Sequence, residues 1–348
     1  MSMRKAAVIA AGSMGTAIAS VLADNEFLVT LTTRSQDQAD EINRDRRNRK
    51  YTGDFRLSDS IRATVSMEEA LTGAGLIVFA SPSHAMREVT RLAKPYIQPS
   101  AAVIHATKGF EPETMKRMTT VLAEELPQID PGRLVVLSGP SHAEEVIQRC
   151  PTTVVVAADR LAAAEEAQDA LINSYFRVYT NPDVAGVEVG GALKNIIALG
   201  AGLSDGLGYG DNAKAALVTR GLAEIARLGV AMGGHALTFS GLAGVGDLVV
   251  TCTSKHSRNW RAGYMLGQGK PLDEVLQTMG MVVEGVKTTK TTYTLAKQYE
   301  VSMPITDQLH EVLFAGKEPQ LAVGHLMGRV RTHEIEEIAD SFGEKWML

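Results

Sequence analysis

A lysine at position 194 stands in the stretch Gly186-Val-Glu-Val-Gly-Gly-Ala-Leu-Lys-Asn-Ile-Ile-Ala-Leu-Gly-Ala. Leu193, Ile196, Ile197 and Leu203 recur at helical spacing, which predicts a helix. On that helix Lys194 shares its face with Gly190, Gly191, Ala198 and Ala201. Neighbours with almost no side chain leave space beside the amine, and partial desolvation lowers a lysine pKa toward values useful for proton transfer. The same pattern suits a lysine on a Gly/Ala helix packed tightly against a neighbour, and this stretch alone leaves both open.

Other polar residues have spacings that suit an anionic small molecule. Ser257-Arg258-Asn259 combines a capping hydroxyl, a bidentate cation and an amide just before a predicted helix containing Trp260 and Tyr264. That is a phosphate-type grouping, although a bare helix cap reads the same way. Asp247, in the glycine-rich Gly241-Leu-Ala-Gly-Val-Gly-Asp247, is suited to hold a substrate hydroxyl or to position the Lys194 amine; it also suits a plain turn. Lys108 in Ile104-His-Ala-Thr-Lys108-Gly and the turn residues Gly139, Ser141 and Ala143 follow two strand-like runs. In open α/β sheets ligands sit beyond such strand ends.

Ile9-Ala-Ala-Gly-Ser-Met-Gly15 lies between the first predicted strand and the first predicted helix, where a dinucleotide-binding turn belongs. Gly12 and Gly15 fill the second and third glycine positions of G-x-G-x-x-G, and Ala10 replaces the first. Ala10 is tolerable there if its φ is negative, and a pyrophosphate would rest on the helix N-terminus. The second strand ends at Arg34 with no acidic residue for a ribose hydroxyl, so Arg34 is suited to pair with a 2′-phosphate and Tyr51 to stack on the adenine, although a plain surface cation reads the same way at Arg34. NADPH is therefore expected to be accepted, with NADH as the alternative. The charged run Arg44–Lys50 reads as a solvated helix end and loop.

These residues need an α/β framework to position them. Strands are predicted at Lys5–Ala10, Phe27–Thr32, Gly75–Ala80, Ala101–Ala106, Arg133–Ser138, Thr152–Ala157 and Phe176–Thr180. Helices are predicted at Met14–Asp24, Ser35–Arg44, Met67–Leu71, Ala85–Lys94, Pro112–Leu126 and Leu161–Asn173. The alternation implies an N-terminal Rossmann-like, doubly wound, mainly parallel sheet. Near Asn181-Pro-Asp the texture turns to Ala/Leu/Gly helical segments, so the expected division is 1–185 for the dinucleotide and 186–348 for an all-helical substrate and catalytic domain.

The 348 residues suffice for two cores, and 45% hydrophobic with 22% charged residues is an ordinary globular composition. A net charge of -5 does not favour nucleic acid or an anionic membrane as partner. Cys150 and Cys252 have neither metal nor redox spacing, and no metal site is expected. The N-terminus lacks the order of a signal peptide and no apolar run is expected to approach a membrane span, so the chain reads as cytoplasmic.

Over nearly its full length the chain resembles the bacterial-type NAD(P)-dependent glycerol-3-phosphate dehydrogenases. The resemblance is carried by Ala80-Ser-Pro-Ser83, Thr107-Lys-Gly109, Ser138-Gly-Pro-Ser141, Asn181-Pro-Asp-Val-Ala-Gly-Val-Glu188, Ala192-Leu-Lys-Asn195, Gly241–Leu248, Ser257-Arg-Asn259 and Glu284-Gly. It implies reversible reduction of dihydroxyacetone phosphate to sn-glycerol 3-phosphate for phospholipid synthesis, and a homodimer. It matches Lys194 to the catalytic lysine, and Lys108, Gly139, Ser141, Lys194, Asp247, Ser257, Arg258 and Asn259 to substrate contacts. Ser13, Met14, Arg34, Lys108, Ala143, Arg258, Val282 and Glu284 fall on its cofactor positions. Ala10, and Met14 where the family commonly has an aromatic, depart from the pattern. A relative acting on a β-hydroxyacid or another sugar phosphate would share the fold without needing Ser257-Arg-Asn259; a nucleotide sensor would bind cofactor without turnover.

Overall fold

The computed structural model describes residues 4–330 and residue 334. The chain opens with β1 (Lys5–Ile9), α1 (Ser13–Asp24), β2 (Leu28–Thr32), α2 (Gln36–Asp45), α3 (Arg49–Thr52), β3 (Ile61–Thr64), α4 (Met67–Leu71) and β4 (Leu76–Phe79). It continues through α5 (Met86–Ala93), β5 (Ala102–His105), α6 (Met118–Glu125), β6 (Leu134–Ser138), α7 (Ala143–Ile147), β7 (Thr152–Ala157), α8 (Leu161–Leu171) and β8 (Phe176–Asn181). The remaining elements among the described residues are helices: α9 (Val184–Gly206), α10 (Asp211–Ala231), α11 (Asp247–Thr253), α12 (Arg258–Gly267), α13 (Leu272–Met279), α14 (Glu284–Gln298), α15 (Pro304–Phe314) and α16 (Pro319–Met327).

The strands form one sheet in the order β3-β2-β1-β4-β5-β6-β7-β8. Neighbours are parallel except β6 with β7, which run antiparallel. The order reverses between β1 and β4, which opens a crevice beyond the strand C-termini of a doubly wound sheet. Alternate residues enter opposite faces: Val8, Val78 and Ile104 pack with α1, while Ala7, Ile9, Ile77, Phe79 and Val103 pack beneath α5 and α6. Burial on both faces explains why these strands read as continuous apolar runs.

Three local expectations are corrected. The strand β3 was not anticipated, because Ile61-Arg-Ala-Thr64 is too short to show a period, and it forms by pairing with β2. The helix expected from Pro112 begins only at Met118, since Met115 takes φ 58° and Arg87 holds the Glu111 carboxylate at 2.7 and 2.8 Å. Asn48, inside the run read as solvated, is fully buried.

The 23-residue α9 also corrects the expectation that no apolar run approaches a membrane span. By length and composition it is apolar enough to cross a membrane, yet nearly all of it is buried inside the protein. Helices α10, α11, α12 and α14 surround it, so it is a core helix, apolar nearly all round because protein covers nearly all of it. The α9–α12 crossing is close because glycines face backbone. A Cβ at Gly202 would lie 1.9 Å from the Trp260 carbonyl oxygen, and one at Gly263 would lie 1.9 Å from that of Leu199. This crossing brings the Ser257-Arg258-Asn259 end of α12 onto the helix carrying Lys194.

Gly263→Ala is expected to cost about 1–3 kcal/mol through overpacking of this crossing. A urea melt should show a lower midpoint, while Gly324→Ala, with open space around it in α16, should leave the midpoint unchanged or slightly raised.

Candidate active site

Helix α9 carries Lys194 into a site where the residue keeps only 5% of its surface exposed. Its Nζ donates to Asp247 Oδ1 and, at 2.7 Å, to Thr251 Oγ1. Asp247 opens α11, following a π-helical turn at Leu242–Gly246, and Thr251 stands one turn later. The Thr251 hydroxyl donates to the Asp247 backbone carbonyl at 2.6 Å, so its oxygen faces the lysine. Asp247 Oδ2 accepts from Lys108 Nζ at 2.7 Å, and the same amine reaches the Gly139 carbonyl at 3.2 Å. Ser141 Oγ donates to that carbonyl at 3.0 Å.

One buried carboxylate therefore serves two ammonium groups. Burial lowers the Lys194 pKa to about 7, with the Asp247 charge opposing the shift and the Lys108 charge adding to it. Burial alone would raise Asp247, but the two lysines outweigh it and hold its carboxyl below the usual range. Of the two readings open for the small residues near Lys194, Gly190 and Gly191 follow the tightly packed one. A Cβ on Gly190 would meet the Ala243 carbonyl oxygen at 2.7 Å, and one on Gly191 would meet Ser138 Oγ at 2.7 Å. These glycines admit close-packed neighbours, and that packing is what desolvates the amine.

The tripeptide at α12 is engaged with protein. Ser257 Oγ caps the helix by accepting from Trp260 N at 3.2 Å, leaving its own proton to donate. Asn259 Nδ2 donates to Asn195 Oδ1 and its Oδ1 accepts from Gly285 N, both at 2.8 Å. Asn259 thus joins α9, α12 and α14, with one amide hydrogen left over. Arg258 is exposed and its guanidinium reaches the Val282 carbonyl at 3.3 Å. Glu284, opening α14, accepts from Ser83 Oγ at 3.0 Å across the crevice. Ser83 and Gly109 lie against each other there.

The turn after β1 leaves open backbone at the start of α1, a form that suits an anion. No atom lies within 4 Å of where a Gly12 Cβ would point, and α1 begins without a side-chain cap, leaving its first N–H groups without intrahelical partners. Gly15 is obligatory, since a Cβ would sit 2.0 Å from the Ala10 carbonyl oxygen. Ser13 Oγ donates to the Tyr51 carbonyl at 3.2 Å, drawing α3 to the turn, and Met14 packs on the sheet core. Buried Asn48 braces the turn through Ala11 O at 3.1 Å and Thr16 Oγ1 at 2.8 Å. Arg34 is exposed beyond β2. Ala143 opens α7 and is buried in the sheet core.

Models of the NAD-dependent glycerol-3-phosphate dehydrogenase N-terminus and C-terminus match residues 5–164 and 183–324. The chain belongs to that family. It is 56% identical over 340 residues to the Bacillus subtilis glycerol-3-phosphate dehydrogenase [NAD(P)+], covering 98% of this chain and 99% of that protein. The Coxiella burnetii glycerol-3-phosphate dehydrogenase crystal structure superposes with a TM-score of 0.90 at 38% identity, covering 94% of this chain and 99% of that one. A Saccharomyces cerevisiae glycerol-3-phosphate dehydrogenase gives 0.79 at 26% identity, covering 92% and 99%.

Within this glycerol-3-phosphate dehydrogenase framework, Lys108, Gly139, Ser141, Lys194 and Asp247 form one cluster, Ser13 and Tyr51 form a second contact, and Arg258 and Val282 a third. Thr251, Asn195 and Asn48 were missed by sequence reasoning. Thr251 stands four residues after Asp247 and Asn195 directly follows Lys194, so both had a local signal; Asn48, hidden among arginines, had none.

The condition set for tolerating Ala10, a negative φ, is not met: it sits at φ 85°. Its backbone N–H donates to Thr32 Oγ1 at 3.0 Å, which holds the turn in place. A left-handed conformation costs a residue bearing a Cβ about 1–2 kcal/mol. Ala10→Gly is expected to raise stability by roughly 0.5–1 kcal/mol after the entropy of the unfolded glycine is subtracted. A higher thermal midpoint of the cofactor-free protein is the readout.

Proposed function

We propose that this chain reversibly reduces dihydroxyacetone phosphate to sn-glycerol 3-phosphate with NADPH or NADH, and that Lys194 is its acid/base. The observation that supports this most is a buried lysine paired to Asp247 beyond the C-terminal edge of a dinucleotide-type sheet. In the same reading residues 1–185 hold the dinucleotide and 186–348 supply substrate contacts. The protein works as a cytoplasmic homodimer feeding glycerophospholipid synthesis, with no nucleic acid or membrane partner.

Gly12, Ser13, Met14 and Gly15 hold the cofactor pyrophosphate, with Arg34 and Tyr51 at the adenosine end and Glu284, Val282, Lys108 and Ala143 along the crevice. When bound, the nicotinamide supplies a hydride to the ketone carbon. Arg258, the leftover Asn259 amide hydrogen, the Ser257 hydroxyl and the first N–H groups of α12 hold the substrate phosphate. Binding energy at that remote group fixes the ketone in reach of Lys194. The Lys194 ammonium donates its proton to the developing alkoxide, and Lys108 adds positive charge near it. Asp247 keeps both amines in place, and Gly139 and Ser141 steady Lys108. In oxidation the neutral Lys194 amine takes the proton back.

Purified protein mixed with dihydroxyacetone phosphate and NADPH is expected to lose nicotinamide absorbance; turnover of a non-phosphorylated hydroxyacid instead would sink the reading. Lys194→Met should lower kcat by about 10²–10⁴-fold while NADPH still quenches intrinsic fluorescence. Because only the protonated amine can donate, the reductive rate should fall as pH rises through about 7, and the oxidative rate should rise there. A reductive profile flat from pH 6 to 9 would contradict the role given to Lys194.

Arg34→Glu should lower kcat/KM for NADPH by about 10–100-fold, the worth of a charge-assisted hydrogen bond, and leave NADH within about twofold. Steady-state constants for both cofactors check this; a wild-type enzyme strongly preferring NADH removes the proposed pairing.

A further inference from the structure

Away from the two-lysine site, a second charged cluster joins the sheet to α9. Glu188 stands on the second turn of α9 and is 7% exposed. Its Oε2 accepts from Arg117 Nη1 and from Thr119 Oγ1, each at 2.6 Å. Its Oε1 accepts from the Thr119 backbone N–H at 2.8 Å and lies 3.2 Å from His105 Nε2. Thr119 is the second residue of α6, whose own N-cap position supplies no side-chain bond. Glu188 therefore provides from another element the anion that a helix N-terminus favours. His105 is completely buried and ends β5.

Both ends of this contact lead to the site. Lys108 follows His105 by three residues, and Lys194 follows Glu188 by six on the same rigid helix. The two lysines then meet at one Asp247 carboxylate. A shift between β5 and α9 would change the Lys108–Asp247–Lys194 spacing.

We propose that Glu188 is a positioning residue for the acid/base site, holding the β5 segment that leads to Lys108 in register with the helix that carries Lys194. It touches neither substrate nor cofactor in the reading above, on which this inference rests. The carboxylate is suited to that task because it stays charged. Burial alone would raise its pKa, but His105 and Arg117 bring it down to about 2.

The consequence is electrostatic. The charges that set the Lys194 pKa are Asp247 from α11 and Lys108 from the β5 loop, while Cys252 from α11 and His142 from the loop before α7 also face it and feel its charge. Lys108 lowers the Lys194 pKa, and it also shares the carboxylate that raises it. Letting Lys108 drift removes the repulsion and leaves Asp247 wholly to Lys194. Both changes make Lys194 hold its proton more tightly, so the limb of the reductive profile moves to higher pH.

The test compares wild type with Glu188→Gln, which keeps the shape and loses the charge. Wild-type reduction of dihydroxyacetone phosphate and its limb near pH 7 are measured first, and their absence would defeat the functional reading rather than this inference. For Glu188→Gln, kcat should fall about tenfold, the NADPH dissociation constant should stay within about twofold, and the limb should rise by about half a pH unit or more. A folded variant with an unmoved limb overturns the proposal, even if it is less stable or slower. Should Glu188→Gln not fold, Arg117→Met at the partly exposed end of the cluster carries the same test. It is expected to shift the limb in the same direction by a smaller amount, and an unmoved limb there overturns the proposal.

Discussion

The buried Asp247 carboxylate is the constraint on which the rest of this structure depends. It takes one lysine from the sheet side and one from the core helix, and 1% of its surface remains exposed. A buried charge is stable only when its partners are correctly placed, because loss of one partner leaves an uncompensated ion in a poor solvent. Three separate elements must therefore agree in position: the loop after β5, the middle of α9 and the first turn of α11. The close glycine crossings of α9 with α12 and with the Ala243 turn achieve that agreement by backbone contact, which has few alternative arrangements.

Rigidity of this kind suits proton transfer. A lysine with a pKa near 7 is divided between its two forms under ordinary conditions, so the same group can give and take a proton. Burial produces that poise, and Asp247 prevents burial from taking it further. Polar residues that touch no lysine hold the frame: Asn259 links α9 to α14, Glu284 reaches Ser83 across the crevice, and Glu188 bonds α9 to α6 and lies against His105 of β5.

The dinucleotide turn follows a different logic. Its first glycine position carries an alanine in a left-handed conformation, and the surrounding contacts hold it there. The Ala10 carbonyl then occupies the space that makes Gly15 obligatory, while the surface over Gly12 stays open. Local strain is thus confined to one residue of the turn, and the start of α1 keeps its open backbone.

Much of the architecture was legible in the amino-acid sequence because it follows from local periodicity. The apolar runs of β1, β4 and β5, the glycines after β1 and the change of texture near Asn181 predict a doubly wound sheet followed by helices. The residue types around Lys194, Lys108 and Asp247 offered groups able to move a proton or hold a charge, without deciding their role. Short β3, the antiparallel β7 and the late start of α6 were not legible, since each is decided by a partner distant in sequence. Which residue faces which was also left to the tertiary structure. Gly190 and Gly191 read equally as open space beside the amine or as tight packing, and Ala243 and Ser138 fill them. Thr251, Asn48 and Glu188 acquire their partners only when elements 32 to 71 residues apart are packed together. Sequence determined which groups are available for chemistry; burial and pairing, which are properties of packing, decided their charge and their reach.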